Sequence, residues 1–352
     1  MNVSRPQSKC DNASPDRFAI PGGNRVATHR FDPERFFNTM GQHPPALHVQ
    51  PGDTVVMQTL DALGVDRTGA QRGERPNPQS GPISVEGAMP GDALEVTIVR
   101  LTPSREIGWT RYPLAPNVVD PDRAAHLPDR GTAEWVIDVA AETVRLIDPP
   151  PALATLALPL EPMIGCFGVA PADGEAISTS TPGPHGGNMD WRGFRPGTIV
   201  WFPVSVPGAL FFAGDGHARQ GDGEISGTGV EVSMEMELRL ELRRQWPVRW
   251  PRGITSDGAE LFTVGNARPL DQALQHATSE MLDWLESDYG LDTVATSHLM
   301  GQTVGYDVGN VYNPAYTVIC RMPTSLVEES RSRRSVEATP VSSASPRNAH
   351  QR

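Results

Sequence analysis

Cysteine is scarce in this chain of 352 residues, with only Cys10, Cys166 and Cys320, far apart. An odd number at such spacing argues against a disulfide framework and a Cys-rich zinc site, and suits a reducing compartment. Lysine is scarcer still. Of 30 basic residues only Lys9 is lysine, against 42 acidic residues and a formal charge of −12. With no basic stripe and no aromatic platform, nucleic acid is not expected as a partner. No window reaches the roughly 20 apolar residues of a membrane span. The opening MNVSRPQSKCDNASPDRF lacks the apolar core of a signal peptide. No membrane partner and a cytoplasmic location are therefore expected. Aromatic residues make up only 6% of the chain, while Gly and Pro reach 34 each. That balance favours many short strands joined by tight turns over a helical bundle.

A hydrophobic fraction of 38% suffices for a sizeable core. One turn pattern recurs. Pro51-Gly52-Asp53 precedes TVVMQT, Pro90-Gly91-Asp92 precedes ALEVTIVRL, and Pro196-Gly197 precedes TIVWFPVSV. Each reads as a Pro-preset, Gly-permitted turn feeding a Val- and Ile-rich strand, and the three are expected to be hairpin entries. In VEVSMEMELRLEL, apolar Val230 to Leu242 alternate with polar residues over thirteen positions, which predicts one long strand with one buried face. Leu270, Leu274, Ala277, Met281 and Leu285 recur at helical spacing, with Gly290 at a C-terminal cap position. A second helix is expected over Thr293 to Met300. The expected fold is mainly β (α+β): a β-sandwich or barrel-like core of short strands with a few helices packed on one side. Residues 1–22 and 326–352 carry no apolar period and are expected to be a disordered N-terminal extension and C-terminal tail, leaving one domain over 23–325.

Potential ligands gather between residues 185 and 224. In FFAGDGHARQGDGE, Asp215 and His217 stand two apart, as residues on one side of a strand do, and Gln220, Asp222 and Glu224 form a second such series. His185, Asn188 and Asp190 in PHGGNMD supply another arm, and the interspersed glycines permit close backbone approach. A His and carboxylate set poor in thiolates suits a divalent metal, Zn²⁺ first, with Ca²⁺ or another divalent ion as alternatives. Asp190, Asp215 and His217 are the candidate metal ligands. Glu224 is then free to act as general base and proton donor. His185, Gly186, Gly187, Asn188 and Gln220 are the candidate substrate-binding residues, through side chains and loop amides. Asp and Gly clusters also build ordinary turns, so the pattern alone leaves that reading open.

Other candidates are weaker. Glu86, alone among carboxylates between Gly81 and Pro90, is a second candidate catalytic residue or simply a solvated strand residue. Cys166 in MIGCFGVAP is a rival nucleophile, or a small buried hydrophobe. The HGG at 185–187 is similar to the oxyanion loop of lipase-type hydrolases, but no Gly-x-Ser-x-Gly elbow accompanies it. Glu231 belongs to a solvated face unless the Gly227-Thr228-Gly229 entry brings it towards the ligands.

These motifs together resemble the acetamidase/formamidase family. The likeness runs through VQPGDTVVMQTLDA (49–62), NPQSGPISVEGAMPGDALEVTI (77–98), IGCFGVAP (164–171), GPHGGNMD (183–190), VPGALFFAGDGHARQGDGEISGTGVEV (206–232) and LDQALQHATSEMLDWL (270–285). HGGNMD followed by GDxHAxQGDGE is its most specific part. The resemblance implies cytoplasmic, metal-dependent hydrolysis of a small linear amide, formamide or acetamide, by a β-rich homo-oligomer with bound zinc or calcium. A lactamase acting on small cyclic amides, or a non-enzymatic metal-binding β-domain, are the alternatives.

Overall fold

The computed structural model describes residues 26–328, so the expected N-terminal extension and nearly all of the expected tail lie outside the described residues. The tail's first positions do not: residues 324–328 are helical and Val327 is fully buried against the nearby helices.

Two sheets form the body, one of nine strands and one of ten. The largest apolar cluster draws Val55, Met57, Val96, Leu238 and Leu240 from the first, and Ile83, Ile164, Phe167, Phe211 and Val232 from the second. The two sheets therefore share one core between their faces, as the sandwich reading expects. The helix Leu270–Tyr289 packs Ala277, Met281, Trp284 and Leu285 on the nine-stranded sheet against Trp201, Leu261, Cys320 and Met322. Leu270 and Leu274, expected in its apolar stripe, are exposed instead, because Ala273 and Glu280 share the buried face. Gly290 ends this helix in the left-handed conformation at φ 65°, as a C-terminal cap does. The following helix Thr293–Thr303 is capped by Asp292, whose side chain accepts from Ala295 N at 2.8 Å.

The three Pro-Gly turns form, with Gly52, Gly91 and Gly197 at φ 94–95°. They are not hairpins. Each carries the chain from a strand of the ten-stranded sheet (Leu47–Val49, Ser80–Val85, Gly186–Asn188) to one of the nine-stranded sheet (Thr54–Gln58, Ala93–Pro103, Ile199–Pro203). The thirteen-residue alternation is likewise split. Glu231–Val232 pairs with Phe211–His217 in one sheet, and after Ser233 the strand Met234–Arg243 joins the other. Met234, Met236, Leu238 and Leu240 are fully buried as the period demands. The crossing places Glu231 beside His217.

Candidate functional site: a buried carboxylate–histidine cluster

The strand Phe211–His217 is buried along its whole length and pairs antiparallel with Met163–Gly168. Asp215 breaks the regular backbone at φ 57°, opposite Gly165, which lies between the register pairs Ile164↔Gly216 and Cys166↔Gly214. A Cβ on Gly165 would stand 2.5 Å from Asp190 Oδ1 and 2.8 Å from Asp215 Oδ2, so only glycine leaves space for both carboxylates. Asp190 follows the strand Gly186–Asn188 at φ 47°, and Glu224 lies at φ 45° in the loop between His217 and Glu231. Asn77 joins them at φ 41°. Left-handed conformations at non-glycine residues cost about 1–3 kcal/mol each and collect at functional sites. Four of them converge here.

The side chains form two overlapping triads, Asp190–His217–Glu224 and Asp215–His217–Glu231, whose candidate ligand atoms lie within 4.8 Å of one another. His217 Nδ1 is 2.8 Å from Gln220 Oε1, and Gln220 Nε2 donates to the Asp190 backbone carbonyl. With its amide nitrogen so engaged, Gln220 can only accept from the ring, which puts the hydrogen on Nδ1. The Nε2 lone pair then faces Glu231 Oε1 at 3.1 Å and Asp215 Oδ1 at 3.5 Å, acceptor against acceptor. Only a proton or a cation between them reconciles these atoms. Asp190 Oδ1, Asp215 Oδ1, Glu224 Oε2 and Glu231 Oε2 are also buried without a hydrogen-bond partner. So many orphaned donor atoms of one chemistry, aimed at one another, fit a divalent cation.

Electrostatics agree. Burial pushes Glu224 and Glu231 up to about 8, with neighbouring carboxylates adding and His217 opposing. Asp190 is held well above the usual carboxylate range by burial and by the charges of Glu224 and Asp215. Burial works against a charged His217, but Glu231 and Asp215 outweigh it and raise its affinity for a proton. Asparagines fix the carboxylates: Asn77 Nδ2 donates to Asp215 Oδ2 (2.9 Å) and Asn188 Oδ1 (2.8 Å), and Asn313 Nδ2 donates to Asp190 Oδ2 (2.6 Å). Asp215, Glu224, Glu231 and Asn188 open onto a cleft of about 300 Å³, also lined by Asn77, Trp109, Thr228 and Tyr312.

Of the residues singled out in the sequence, Asp190, Asp215, His217, Glu224 and Asn188 come together. Gln220 joins them as a brace between His217 and Asp190, with its amide oxygen and nitrogen each engaged within the protein. Glu86 does not: it is exposed in the turn after Ser80–Val85, where its amide donates to Val49. His185 is buried with neither ring nitrogen partnered, but it lies beyond the Gly168↔Gly186 pair, at the far end of its strand from Asn188. Burial lowers its pKa to about 4. Gly186 N donates to Gly183 O, and Gly187 is embedded in the ladder opposite Phe167, so neither amide is presented to the cleft. Asp222 points to solvent and pairs with Arg192 at 2.7 Å, because the loop turns at Gly223 and does not continue as a strand. Asn77 and Asn313 went unread in the sequence. Their only signal was a following proline, which marks a turn and no chemistry.

Comparison with known proteins bears on this arrangement. The model of the acetamidase/formamidase family matches residues 141–251, the segment carrying Asp190, Asp215, His217, Glu224 and Glu231. An acetamidase structure from Bacillus halodurans is similar at 31% identity with a TM-score of 0.74, over 85% of this chain and 99% of that one. The chain belongs to the acetamidase/formamidase family. An acetamidase from Yersinia enterocolitica is similar over 88% of this chain and 95% of its own, at 32% identity and a TM-score of 0.75. A curated relative, the acetamidase of Mycolicibacterium smegmatis, is 30% identical over 203 residues, 43% of this chain. The chain spans between 49% and 64% of the length of the curated relatives it matches. No helix among the described residues is long and apolar enough to cross a membrane.

Proposed function

We propose that this protein hydrolyses a small amide to the carboxylic acid and ammonia at a divalent cation, Zn²⁺ first and Ca²⁺ second, held by Asp190, Asp215 and His217. The observation that carries this reading is the buried ring of orphaned carboxylate oxygens around His217 Nε2. Names of the relatives, acetamidase and formamidase, supply the substrate class. A cation there would supply Lewis-acid polarisation of the carbonyl and a lowered pKa for water.

The chain's own residues do the rest. Gln220 Oε1 accepts a hydrogen bond from His217 Nδ1–H and leaves Nε2 free as a ligand, the usual way an outer partner sets a histidine tautomer. Asn77 and Asn313 orient Asp215 and Asp190. Asn188 Oδ1 is engaged by Asn77, which leaves its Nδ2 to donate to the substrate carbonyl oxygen. Glu224, whose affinity for a proton burial raises, can take a proton from the attacking water and give it to the departing nitrogen. Glu231 shares that raised affinity but is bound closer to His217 and to Gly229 N, which suits it to holding the ring in place.

Cytoplasmic location and self-association into a homo-oligomer belong to the same proposal. Cys166 and Cys320 are free thiols, which supports the first. Exposed Tyr112, Val136, Ile147 and Leu153 on one arm of the ten-stranded sheet supply apolar surface for the second, and light scattering reads its stoichiometry. Ammonia release across a panel of formamide, acetamide, longer amides and lactams, run beside metal analysis of the purified protein, tests the central claim. Turnover that disappears on chelation and returns with metal supports it. Tight metal binding with no release from any amide would instead favour a metal-binding β-domain.

A further inference from the structure

The cleft above the cluster is larger than formamide or acetamide needs. A molecule of three or four heavy atoms displaces about two or three waters, roughly 60–90 Å³, against the cleft's 300 Å³. Its two ends also differ in charge. Asp215, Glu224 and Glu231 stand at the buried end, whereas Arg75, Arg111 and Arg130 line the outer part, exposed or half-buried. None of the three has a carboxylate within 4 Å among the described residues, in a protein where Arg105, Arg219, Arg244, Arg252 and Arg321 do. Two are nonetheless held in place. The Arg130 guanidinium lies 5.0 Å from the Tyr312 ring centre and Nη2 reaches Ser226 O at 3.4 Å; the Arg111 guanidinium lies 5.9 Å from the Trp109 ring centre. Arg111 N donates to Thr228 Oγ1, three residues before Glu231, which ties the arginine to the catalytic loop. A stacked guanidinium with free N–H groups is a preorganised carboxylate receptor.

Resting on the amidase reading, we propose that the substrate is an amide whose far end bears a carboxylate, such as the monoamide of a short dicarboxylic acid, and that Arg111 and Arg130 with Arg75 bind that carboxylate. The arginines fix its orientation. Arg75, Arg111 and Arg130 hold the anion at the outer part of the cleft, so the amide end reaches the buried cluster. In the reaction the water oxygen bonds to the amide carbon, the C–N bond breaks, and the nitrogen takes a proton and leaves as ammonia. The product is the dicarboxylate, with no oxidant or co-reactant required.

Succinamate and butanamide, of equal chain length, separate the charged from the neutral case. The metal-loaded protein should show a KM for succinamate about ten- to hundredfold below that for butanamide. Arg111→Gln and Arg130→Gln should each raise the succinamate KM far more than the butanamide KM, with kcat for either changing little by comparison. Equal KM values in the wild type, or variants that raise both alike, overturn the proposal. Calorimetric binding of succinamate to the same proteins stands apart from turnover. Binding that weakens in Arg111→Gln and Arg130→Gln without any ammonia release would keep the carboxylate receptor and defeat the amidase reading. Absence of binding and of succinamate preference, beside hydrolysis of neutral amides, would do the reverse.

Discussion

Two of the buried groups of charged side chains are built on opposite principles. On the outer face of the nine-stranded sheet, Arg252 and Glu280 are 3% and 2% exposed and meet at 3.3 Å. Trp246 and Trp284 flank the guanidinium at 4.1 and 4.8 Å, and both indoles donate to Asp288. Only Arg252 Nε lacks a partner there. At the Asp190–Asp215–His217–Glu224–Glu231 cluster, four carboxylates surround one histidine, and every one of them has an oxygen without a partner. Burial depth is alike; compensation is not. A buried charge that is paired and enclosed by aromatic rings belongs to the fold, while like charges left facing one another await something from outside.

Glu224→Gln should break the functional side of that contrast most severely. Replacing the proton-carrying oxygen with an amide should lower kcat for small-amide hydrolysis by about 10²–10⁴-fold. Metal content by elemental analysis should stay near that of the wild type. Loss of the metal instead would place Glu224 among the ligands, a role that its triad with Asp190 and His217 permits.

Glu280→Ala tests the structural side. It leaves the buried Arg252 with only Asp288 at 4.0 Å, which should cost about 3 kcal/mol in urea unfolding, with activity per folded molecule retained. A pH signature goes with it. Burial raises Glu280 to about 7, above the ordinary 4.5 of the unfolded chain, and lowers Arg252, so desolvation dominates both partners. The folded state therefore binds the Glu280 proton more tightly than the unfolded state. Its contribution is fully present below about pH 4.5 and is lost as pH rises through 7. The stability of Glu280→Gln, which cannot titrate, should gain on the wild type across that window, and a flat difference would refute the assignment.

Gly165→Ala probes how tightly the cluster is packed. The added Cβ would press on Asp190 Oδ1 and Asp215 Oδ2. Metal affinity should fall by about 10–100-fold, in the range seen when the groups that orient metal ligands are disturbed. The fold, read by circular dichroism, should persist. Unchanged metal affinity would mean that the two aspartates do not jointly hold the cation.

What could be read from the sequence was what is local. Pro-Gly turns, the alternation of Met234 to Leu240 and the cap at Gly290 depend on neighbours a few residues away, and all of them form. Which sheet a strand joins depends on distant partners, so the Pro-Gly turns read as hairpins in the sequence and the crossing at Ser233 leaves no local mark. The same crossing decides Glu231: by period it belongs with solvated Glu235 and Glu237, but it lies on the other side of the crossing, where the Gly227-Thr228-Gly229 entry brings it to the ligands, and is 2% exposed. Asp190, Asp215, His217 and Glu224 were legible because carboxylates and histidine among glycines are unusual in one segment. Asn77 and Asn313 come from 111 and 123 residues away from the atoms they hold, beyond any motif. Gly186 and Gly187 were misread because a glycine pair that suits a loop also suits a strand pressed against another backbone.

Cys166→Ala sharpens the comparison at its smallest scale, since this thiol sits among the same strands as the carboxylates and is as deeply buried. Its Sγ donates to Thr179 O at 3.3 Å, and it packs with Phe37, Met40 and Phe212, away from the cleft. Burial holds the thiol well above its ordinary pKa, and the charges of Asp215 and Asp190 push it further in the same direction. A thiol kept protonated by apolar walls and nearby anions is inert as a nucleophile. The alanine variant should therefore keep its kcat, and lose roughly 1 kcal/mol of stability for the small cavity left behind, seen as a modest drop in Tm. An inactive variant that retained its metal and its fold would turn the assignment around, making the carboxylate cluster structural and the cysteine the reacting group.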